Sequence, residues 1–298
     1  MIPAAGSVSD VIDVLCLGDV MLDVHARSGA LAHGGDVHGR VAVRPGGTSA
    51  NAAVWAAWDG ARAGVVAAVG DDLVGDLLVG SLEARGVDVS GVVRREAVSG
   101  VMLVVVEEGD RSMVADRGAN AALRADDLVD LRAGAILVSG YLLLQEPGHD
   151  VGLAALARAE APIVAVEAAS WPLVERRSAA RFLDETASAT LVFANDDEAN
   201  ALVGLTGADA AKALGERYAF AAVKHGAAGA TLCVEGTIVT AAGEAVREVD
   251  PTGAGDAFDG VLLAGLARGD DPSAALAAAC HAGALVAGSD GQWPEARA

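Results

Sequence analysis

Residues 249–260 read Val-Asp-Pro-Thr-Gly-Ala-Gly-Asp-Ala-Phe-Asp-Gly. Residues 257–268 are apolar with the spacing of a helix, so the segment from Thr252 to Asp256 is predicted to be the turn that opens this helix. A helix start presents unpaired backbone N–H groups and the positive end of the helix dipole, and glycines let that backbone approach an anion closely. The segment therefore predicts an anion-binding turn with the carboxylate of Asp256 fixed beside it.

An anion-binding turn with an acid beside it suits the transfer of a phosphoryl group to a hydroxyl group. Asp256 would accept the proton of the attacking hydroxyl. The charge on the phosphoryl group would be stabilised by the N–H groups of three consecutive residues, Gly253, Ala254 and Gly255. The structural alternative for the same stretch is a tight turn capped by Asp250 and Thr252.

Length and composition limit the class of protein. A chain of 298 residues with 53% hydrophobic residues is predicted to form a single α/β domain over residues 1–298, and with only 3% aromatic residues its core must consist of Ala, Val and Leu. The formal net charge of −20 argues against nucleic acid or an anionic membrane as a partner, since both require a basic surface. A nucleotide ligand stays open, because a small phosphate site is built from local dipoles, a metal ion and a few side chains.

The three cysteines and the N-terminus indicate a cellular compartment. Cys16, Cys233 and Cys280 are far apart in apolar segments and are predicted to be buried free thiols, which fits a reducing environment. The N-terminus lacks the basic region and long apolar run of a signal peptide, and no apolar stretch is long and uninterrupted enough to span a bilayer. We therefore predict a cytoplasmic protein without a membrane partner.

Alternation of strand and helix patterns defines the fold class. Buried strands are predicted at 11–17, 65–70, 135–140, 163–168 and 191–195, with three further strands at 219–226, 230–236 and 237–242. Helices are predicted after Gly46-Gly47 and from residue 197, and also at 76–86, 149–160, 254–268 and 273–287. Repeated β-α units with short connections predict a doubly wound, mostly parallel sheet with helices on both faces.

Two segments do not have the pattern of a core element. Residues 28–45 are rich in Gly and His with short Val-containing pieces, and strands around 92–94 and 100–107 flank a turn. We predict that the segments 28–45 and 92–107 form a small β-strand lid that closes over the substrate and excludes water. Exposed lid strands also offer edges for pairing with a second subunit, so a homodimer is predicted.

A second glycine motif precedes a helix about 200 residues upstream of the first motif. It reads Gly46-Gly47-Thr48-Ser49-Ala50-Asn51, and alone it fits a helix start with a Gly-Gly hinge and a Ser/Thr cap. Together the two motifs resemble the signatures of the ribokinase-like (PfkB) family of sugar and nucleoside kinases. The resemblance implies the ribokinase-like fold and a sugar pocket lined by Gly47 and Asn51. Ribokinases proper usually carry Lys at the position of Thr48, and the small residue here is more similar to fructokinases and ketodeoxygluconate kinases.

The resemblance also implies further contacts with the acceptor sugar. Asp23 follows Gly18 by five residues, where the family places a carboxylate that holds sugar hydroxyl groups, and Asp19 is a weaker candidate. Arg117, in the segment Arg-Gly-Ala-Asn, lies where the family has a segment near the substrate pocket, and there it would pair with a carboxylate or phosphate of the substrate. The alternatives for Asp23 and Arg117 are ordinary surface positions.

On the nucleotide side, the resemblance implies a magnesium site and a phosphate-facing turn. Asn195 and Glu198 follow a strand where the family has a pair near Mg²⁺ and its waters, and the same pair also fits an N-terminal capping box. The family's nucleotide-proximal Gly-x-x-Gly corresponds to Gly226 and Gly229, which a hairpin explains nearly as well. Two further residues are predicted to face the nucleotide, Lys224 and Thr252.

A monovalent cation is the last ligand that the resemblance implies. Its site would use Asp250 together with backbone carbonyls near 252 and 284–291. The C-terminal residues 284–298 depart from the usual family pattern, so the sequence leaves activation by K⁺ open.

The predicted function is ATP-dependent, Mg²⁺-dependent phosphorylation of a hydroxymethyl group on a small sugar or sugar acid of the ketodeoxygluconate, fructose or ribose type, with Asp256 as the general base. One alternative is a nucleoside kinase of the adenosine or pseudouridine type, which the scarcity of aromatic residues disfavours, because a base needs a stacking face. Another is a non-catalytic regulator that binds a sugar or nucleotide, which the intact Asp256 disfavours.

Overall fold

The computed structural model of the chain describes residues 11–29, 34–107 and 110–294, so residues 30–33 of the predicted lid segment lie outside the described part. The strands are β1 (Ile12–Leu17), β2 (Met21–Ser28), β3 (Gly39–Gly46), β4 (Ala63–Gly70), β5 (Asp88–Arg95), β6 (Gly100–Glu107), β7 (Asp110–Asp116), β8 (Ala133–Val138), β9 (Ile163–Glu167), β10 (Leu191–Asn195), β11 (Phe220–Lys224), β12 (Gly229–Val234) and β13 (Thr237–Ala242). The helices are α1 (Thr48–Trp58), α2 (Leu73–Glu83), α3 (Gly140–Leu144), α4 (His149–Arg158), α5 (Trp171–Arg177), α6 (Ala179–Glu185), α7 (Asp196–Val203), α8 (Gly207–Gly215), α9 (Ala254–Arg268) and α10 (Pro272–Ala287).

Within residues 11–29, 34–107 and 110–294, the larger sheet has nine strands in the spatial order β13-β12-β11-β10-β9-β8-β1-β4-β5. Neighbouring strands from β5 to β11 pair in parallel, whereas β12 and β13 add an antiparallel edge. The central strands are buried along their length, as in β4, because helices cover both faces of a parallel sheet. The prediction of a doubly wound, mostly parallel sheet is confirmed.

Alternation along β1 separates the two halves of the core. Val14 and Cys16 pack into a cluster with residues of α1, α9 and α10, whereas Leu15 and Leu17 pack into a second cluster with residues of α4, α6 and α8. Successive side chains of a strand point to opposite faces of its sheet, so one strand anchors both helical layers. Small residues dominate where α1 and α9 pack, and this lets α9 approach the sheet closely enough to bring its N-terminus to the strand ends.

A second sheet, with four strands in the part of the chain that the structure describes, has the order β3-β2-β6-β7 and corresponds to the predicted lid. The β2–β6 pair is parallel and the other two pairs are antiparallel. The predicted boundaries need correction, because the lid begins earlier, with β2 at Met21, and includes β7. The strand predicted around 92–94 is part of β5, which pairs with β4 at the edge of the larger sheet. Val92 and Val93 contact different core clusters, so helices cover that strand on both faces, which a lid strand would not require.

Parallel strands place their ends at one edge of the sheet, and this geometry positions the site. The carboxyl ends of β9, β10 and β11 lie beside the N-termini of α1 and α9, with the lid next to them. Within the described residues, no helix combines the length and the apolar character needed to cross a membrane. The single-domain organisation and the cellular location stay predictions.

Candidate active site

A cavity of about 820 Å³ opens at the carboxyl ends of the parallel strands, which is where ligands bind in open α/β sheets. Strand β2 contributes Asp23 to its wall and helix α9 contributes Asp256, so the two ends of the chain meet in one cavity. Apart from Asp250, every predicted site residue lines it: Asp19, Asp23, Gly47, Asn51, Arg117, Asn195, Glu198, Lys224, Gly226, Gly229, Thr252, Gly253, Ala254, Gly255 and Asp256.

Asp256 lies in the first turn of α9, which follows Gly253 as the N-cap residue. Gly253 has φ 84°, in the left-handed region that favours glycine, and this turn lets the helix start inside the cavity. Burial, reinforced by the nearby charge of Glu167, raises the pKa of Asp256 to about 8. A carboxyl group whose pKa lies near the working pH is well matched to accepting a proton from a hydroxyl group.

The amides of the glycine turn differ in what they can bind. The N–H of Ala254 donates to the carbonyl oxygen of Pro251 at 3.1 Å, which closes the turn before α9. The predicted contact between the Ala254 N–H and an anion is therefore corrected, because that donor already has a partner. The N–H groups of Gly253 and Gly255 remain the candidates for anion binding at this helix start.

Asn51 has a protein partner on each side of its amide, and its predicted contact with a sugar stays a prediction. Its Nδ2 donates to Asp256 Oδ2 at 2.6 Å, and its Oδ1 accepts a hydrogen bond from Trp293 Nε1 at 2.6 Å. The side chain lines the cavity, but in this structure it binds the carboxylate of Asp256. The helix that begins after the Gly-Gly motif therefore orients Asp256.

Gly47 is required by the backbone at that helix start. It has φ 97°, and a Cβ atom at this position would clash with the carbonyl oxygen of Asp19. Any larger residue would push α1 away from the end of β1, and with it Asn51.

The end of the cavity beside the small sheet has buried charged groups. Asp23 is only 5% exposed, accepts a hydrogen bond from Gln292 Nε2 at 2.8 Å, and has its pKa raised by burial. Arg117 donates through Nε and Nη2 to the two carboxylate oxygens of Asp19, at 2.9 and 2.7 Å. Its Nη1 is buried and has no protein partner among the described residues, while other atoms of the side chain line the cavity. The surface alternatives for Asp23 and Arg117 are therefore wrong.

Lys224 belongs to a buried charge cluster that was not predicted from the sequence. Its Nζ donates to both carboxylate oxygens of Asp259 at 2.9 Å. Burial alone would lower the pKa of Lys224, but the carboxylates of Asp259 and Glu167 outweigh it and raise the pKa. Because the ammonium reaches both oxygens, we assign the pair to Lys224⁺ and Asp259⁻, although burial acts to raise the pKa of Asp259.

Simple sequence signals for this cluster existed. Asp259 follows Asp256 by three residues in α9, so both side chains share one helix face. Glu167 is the last residue of β9, at the edge where ligands bind, and burial together with the charge of Asp259 raises its pKa to about 8.

Asn195 and Glu198 form the capping box at the start of α7. Asn195 Oδ1 accepts from the Glu198 N–H at 2.9 Å, and Glu198 Oε2 accepts from the Asn195 N–H at 2.8 Å. Both residues also line the cavity, so the structural alternative and the predicted magnesium role are compatible. No cluster of three or more His, Cys, Asp or Glu side chains able to hold a metal occurs within the described residues. The oxygen donors present suit a Mg²⁺ ion that keeps most of its ligands as water and phosphate oxygens.

Asp250 does not fit the monovalent-cation site that the resemblance implies. Its Oδ1 accepts from the N–H and the hydroxyl of Thr252, at 3.1 and 2.7 Å. Its Oδ2 lies 2.9 Å from Arg27 Nη2 and 3.3 Å from His25 Nδ1. The carboxylate is outside the cavity lining, and its Oδ2 is already paired with the arginine guanidinium. We therefore derive no step through K⁺.

The nucleotide-side glycines lie on a short turn between β11 and β12. Gly229 has φ 104°, and a Cβ atom there would clash with the carbonyl oxygen of Ala241, so the hairpin itself requires this glycine. Gly226 has φ 56°, and a Cβ atom added to it would have no neighbour within 4 Å among the described residues, so close packing does not explain its identity. Both line the cavity, and Gly226 is the better candidate for a close approach to a ligand.

Comparison with known proteins agrees with this geometry. The pfkB family carbohydrate kinase pattern matches residues 11–294. The ATP-dependent ribose-1-phosphate kinase of Halopiger xanaduensis is 31% identical over 290 residues, which are 94% of this chain and 94% of that protein. The fructokinase of Escherichia coli is 31% identical over 266 residues, or 85% of this chain and 84% of that protein.

A solved structure has the same fold. The crystal structure of adenosine kinase from Sinorhizobium meliloti superposes with a TM-score of 0.84 at 24% identity, over 95% of this chain and 96% of that chain. With the family pattern spanning nearly the whole chain and two relatives above 30% identity, the protein belongs to the pfkB family of carbohydrate kinases.

Proposed function

We propose that this kinase transfers the terminal phosphoryl group of ATP to a hydroxymethyl group of a small sugar or sugar acid. The observation that carries the proposal is the position of Asp256, which faces the cavity from the glycine turn of α9 while Asp23 faces it from β2. A base, an anion-binding helix start and an acceptor-binding acid are the parts that phosphoryl transfer to an alcohol requires.

The chemistry follows from these groups. Asp256 accepts the proton of the attacking hydroxyl, a contribution of about 10²- to 10⁴-fold to the rate. The N–H groups of Gly253 and Gly255, with the dipole of α9, stabilise the charge on the phosphoryl group as it moves. Asp23 accepts hydrogen bonds from hydroxyl groups of the acceptor and so orients the one that reacts.

The nucleotide would lie on the opposite side of the cavity, toward Gly226 and Lys224. Lys224 is already paired with Asp259, so it contributes a charge held in place rather than a free cation. Asn195, Glu198 and Glu167 supply oxygen acceptors for the waters of Mg²⁺. When bound, Mg²⁺ neutralises negative charge on the phosphates.

Arg117 is the residue that would decide between neutral and acidic acceptors. Its Nη1 is the donor left over after the pairing with Asp19, and a carboxylate or phosphate on the acceptor would complete its hydrogen bonds. We therefore expect Arg117→Gln to raise the KM of an acidic acceptor at least about tenfold and to leave that of a neutral sugar within about threefold. Equal effects on both acceptor types would remove the case for an acidic substrate.

A nucleoside is the second candidate acceptor. The side chains of Met21, Met102 and Met113, together with Tyr141, form part of the cavity wall, and flexible methionines can pack against a base. Release of ADP should be measured with ketodeoxygluconate, fructose, ribose, ribose 1-phosphate and adenosine. Turnover with a sugar or sugar acid supports the proposal, turnover with adenosine alone replaces it by the nucleoside kinase hypothesis, and tight binding without turnover identifies a regulator.

We also propose that the protein is a homodimer that pairs through the lid. Val41 and Val43 on the edge strand β3, and Met113 and Val114 on the other edge strand β7, are each more than half exposed. Covering such apolar edge strands with a second copy removes them from water. Light scattering after gel filtration should give twice the chain mass, and a monomer at micromolar concentration would contradict the proposal.

A further inference from the structure

We propose that the C-terminal segment, residues 289–294, positions two carboxylates of the site, Asp256 through Trp293 and Asp23 through Gln292. The proposal rests on the proposed function, because it assigns the geometry of the base and of the acceptor-binding acid to this segment. Neither Gln292 nor Trp293 touches the cavity as a lining residue. They are therefore positioning residues that act through their partners.

Trp293 determines the orientation of the Asn51 side-chain amide. An indole N–H can only donate, so it must face the amide oxygen, and Trp293 Nε1 lies 2.6 Å from Asn51 Oδ1. With that oxygen held, Asn51 Nδ2 is directed at Asp256 Oδ2 at 2.6 Å. The reverse orientation would set two N–H donors against each other and an oxygen against the carboxylate. Trp293 thereby provides Asp256 with a donor that lowers its pKa against burial and the charge of Glu167.

Gln292 holds Asp23 in place through a direct hydrogen bond. Gln292 is 3% exposed and donates from Nε2 to Asp23 Oδ2 at 2.8 Å. Gly46 makes this contact possible, because a Cβ atom there would clash with Asp23 Oδ2 and would lie 2.8 Å from Gln292 Oε1. The carboxylate allows only one orientation of the Gln292 amide, and that orientation leaves Oε1 buried without a partner among the described residues. An unpaired buried acceptor is unfavourable for stability, which points to a role beyond packing.

The segment is itself anchored, which a positioning role requires. Trp55 Nε1 donates to the backbone carbonyl oxygen of Gln292 at 2.8 Å, and the Arg85 guanidinium lies 4.8 Å from the centre of the Trp293 ring. Trp55 follows Asn51 by four residues in α1, so the anchor and the target share one helix face. The contact therefore links α1, the lid strand β2 and α9 through one short stretch of chain.

Two variants test the roles of Trp293 and Gln292 separately. Trp293→Phe keeps the ring over Arg85 and removes the N–H, so we expect kcat to fall about tenfold to a hundredfold and the acid limb of the pH profile to move to higher pH, with KM for ATP unchanged. Gln292→Met removes the donor to Asp23, so the KM of the acceptor should rise about tenfold with kcat within about threefold of wild type. Trp171→Phe, which removes the N–H of an exposed tryptophan at the start of α5 outside the cavity, is the matched control and should leave the pH profile in place.

If both variants change only the thermal midpoint and leave kcat, the acceptor KM and the pH profile as in wild type, the segment contributes only to packing and the inference fails. Should Trp293→Phe not fold, Gln292→Met carries the test alone. If wild type phosphorylates none of the acceptors, it is the proposed function that has failed. The titration of Asp256 can then still be followed through the pH dependence of thermal stability, where Trp293→Phe should shift it to higher pH.

Discussion

Replacing Asp256 by Asn should lower turnover and, at alkaline pH, raise the stability of the folded protein. The substitution removes the proton acceptor and preserves the shape, and Asn51 Nδ2 can still donate to the amide oxygen at this position. Turnover should therefore fall at least about 10²-fold while nucleotide affinity stays nearly unchanged. The same change removes a carboxylate whose charge the folded protein disfavours, so the variant should be more stable than wild type at alkaline pH.

The sign and size of the stability effect follow from the pKa of Asp256. Its value is raised from 3.8 to about 8, so between these limits the folded state holds a proton that the unfolded chain releases. The contribution of Asp256 to stability is therefore largest below pH 4 and is lost as the pH rises toward 8, at no more than about 1.4 kcal/mol per pH unit. Because the carboxylate borders a cavity that water can enter, we expect a smaller total gain for Asp256→Asn, about 1–3 kcal/mol above pH 8.

Thermal unfolding of both proteins across pH 5 to 9 is the assay. Near pH 5 the two midpoints should differ least, since only about one pH unit of the loss that accumulates between 3.8 and about 8 has occurred there. By pH 9 the variant should unfold about 2–6 °C higher, at roughly 2 °C per kcal/mol for a chain of this length. A midpoint difference that does not grow with pH would refute the assignment of a buried, raised-pKa acid. Turnover within a few-fold of wild type would refute its role as the base.

Two further perturbations test the charges around the site. Lys224→Met should lower the free energy of unfolding by about 3–5 kcal/mol in urea titrations, because it leaves Asp259 buried without its cation. The double variant with Asp259→Leu should recover most of the loss. A loss below about 1 kcal/mol in the single variant would contradict the ion-pair assignment. Replacing K⁺ by choline in the wild-type assay should leave kcat unchanged, because Arg27 already neutralises Asp250. The activity of the Arg27→Ala variant should instead be stimulated by K⁺. A wild-type enzyme that requires K⁺ would contradict this interpretation of Asp250.

The site could be predicted from the sequence where its chemistry lies in short motifs. The turn before α9 and the Gly-Gly start of α1 are local signals, because glycine at positive φ and a helix N-terminus are properties of a few neighbouring residues. Asp256 was found in this way, and it lines the cavity. Alternation of strand and helix patterns likewise predicted the parallel sheet, since buried parallel strands read as continuous apolar runs.

Contacts between distant segments could not be predicted in the same manner. The strand around 92–94 and the strand β6 have similar apolar patterns, and only the pairing partner decides which sheet each joins. Gln292 contacts Asp23, which is 269 residues away in sequence, and no local sequence pattern predicts such a contact. The hydrogen bonds of Asn51 with Trp293 and Asp256 could not be predicted for the same reason, because both partners are distant in sequence.

The balance of charge explains why the buried acids of this cavity have raised pKa values. Among the described residues, seven acidic side chains line it against two basic ones, Arg117 and Lys224, and each of these bases is already paired with a carboxylate. The seven acids are Asp19, Asp23, Glu167, Glu198, Glu244, Glu248 and Asp256. In a low-dielectric space with surplus negative charge, protonating an acid relieves both burial and repulsion. An acid in such a place is a poor site for a free phosphate anion and a good one for a proton acceptor that works near neutral pH. The arrangement around Asp256 thus favours a carboxylate that is a stronger base than an ordinary one and that titrates near neutral pH.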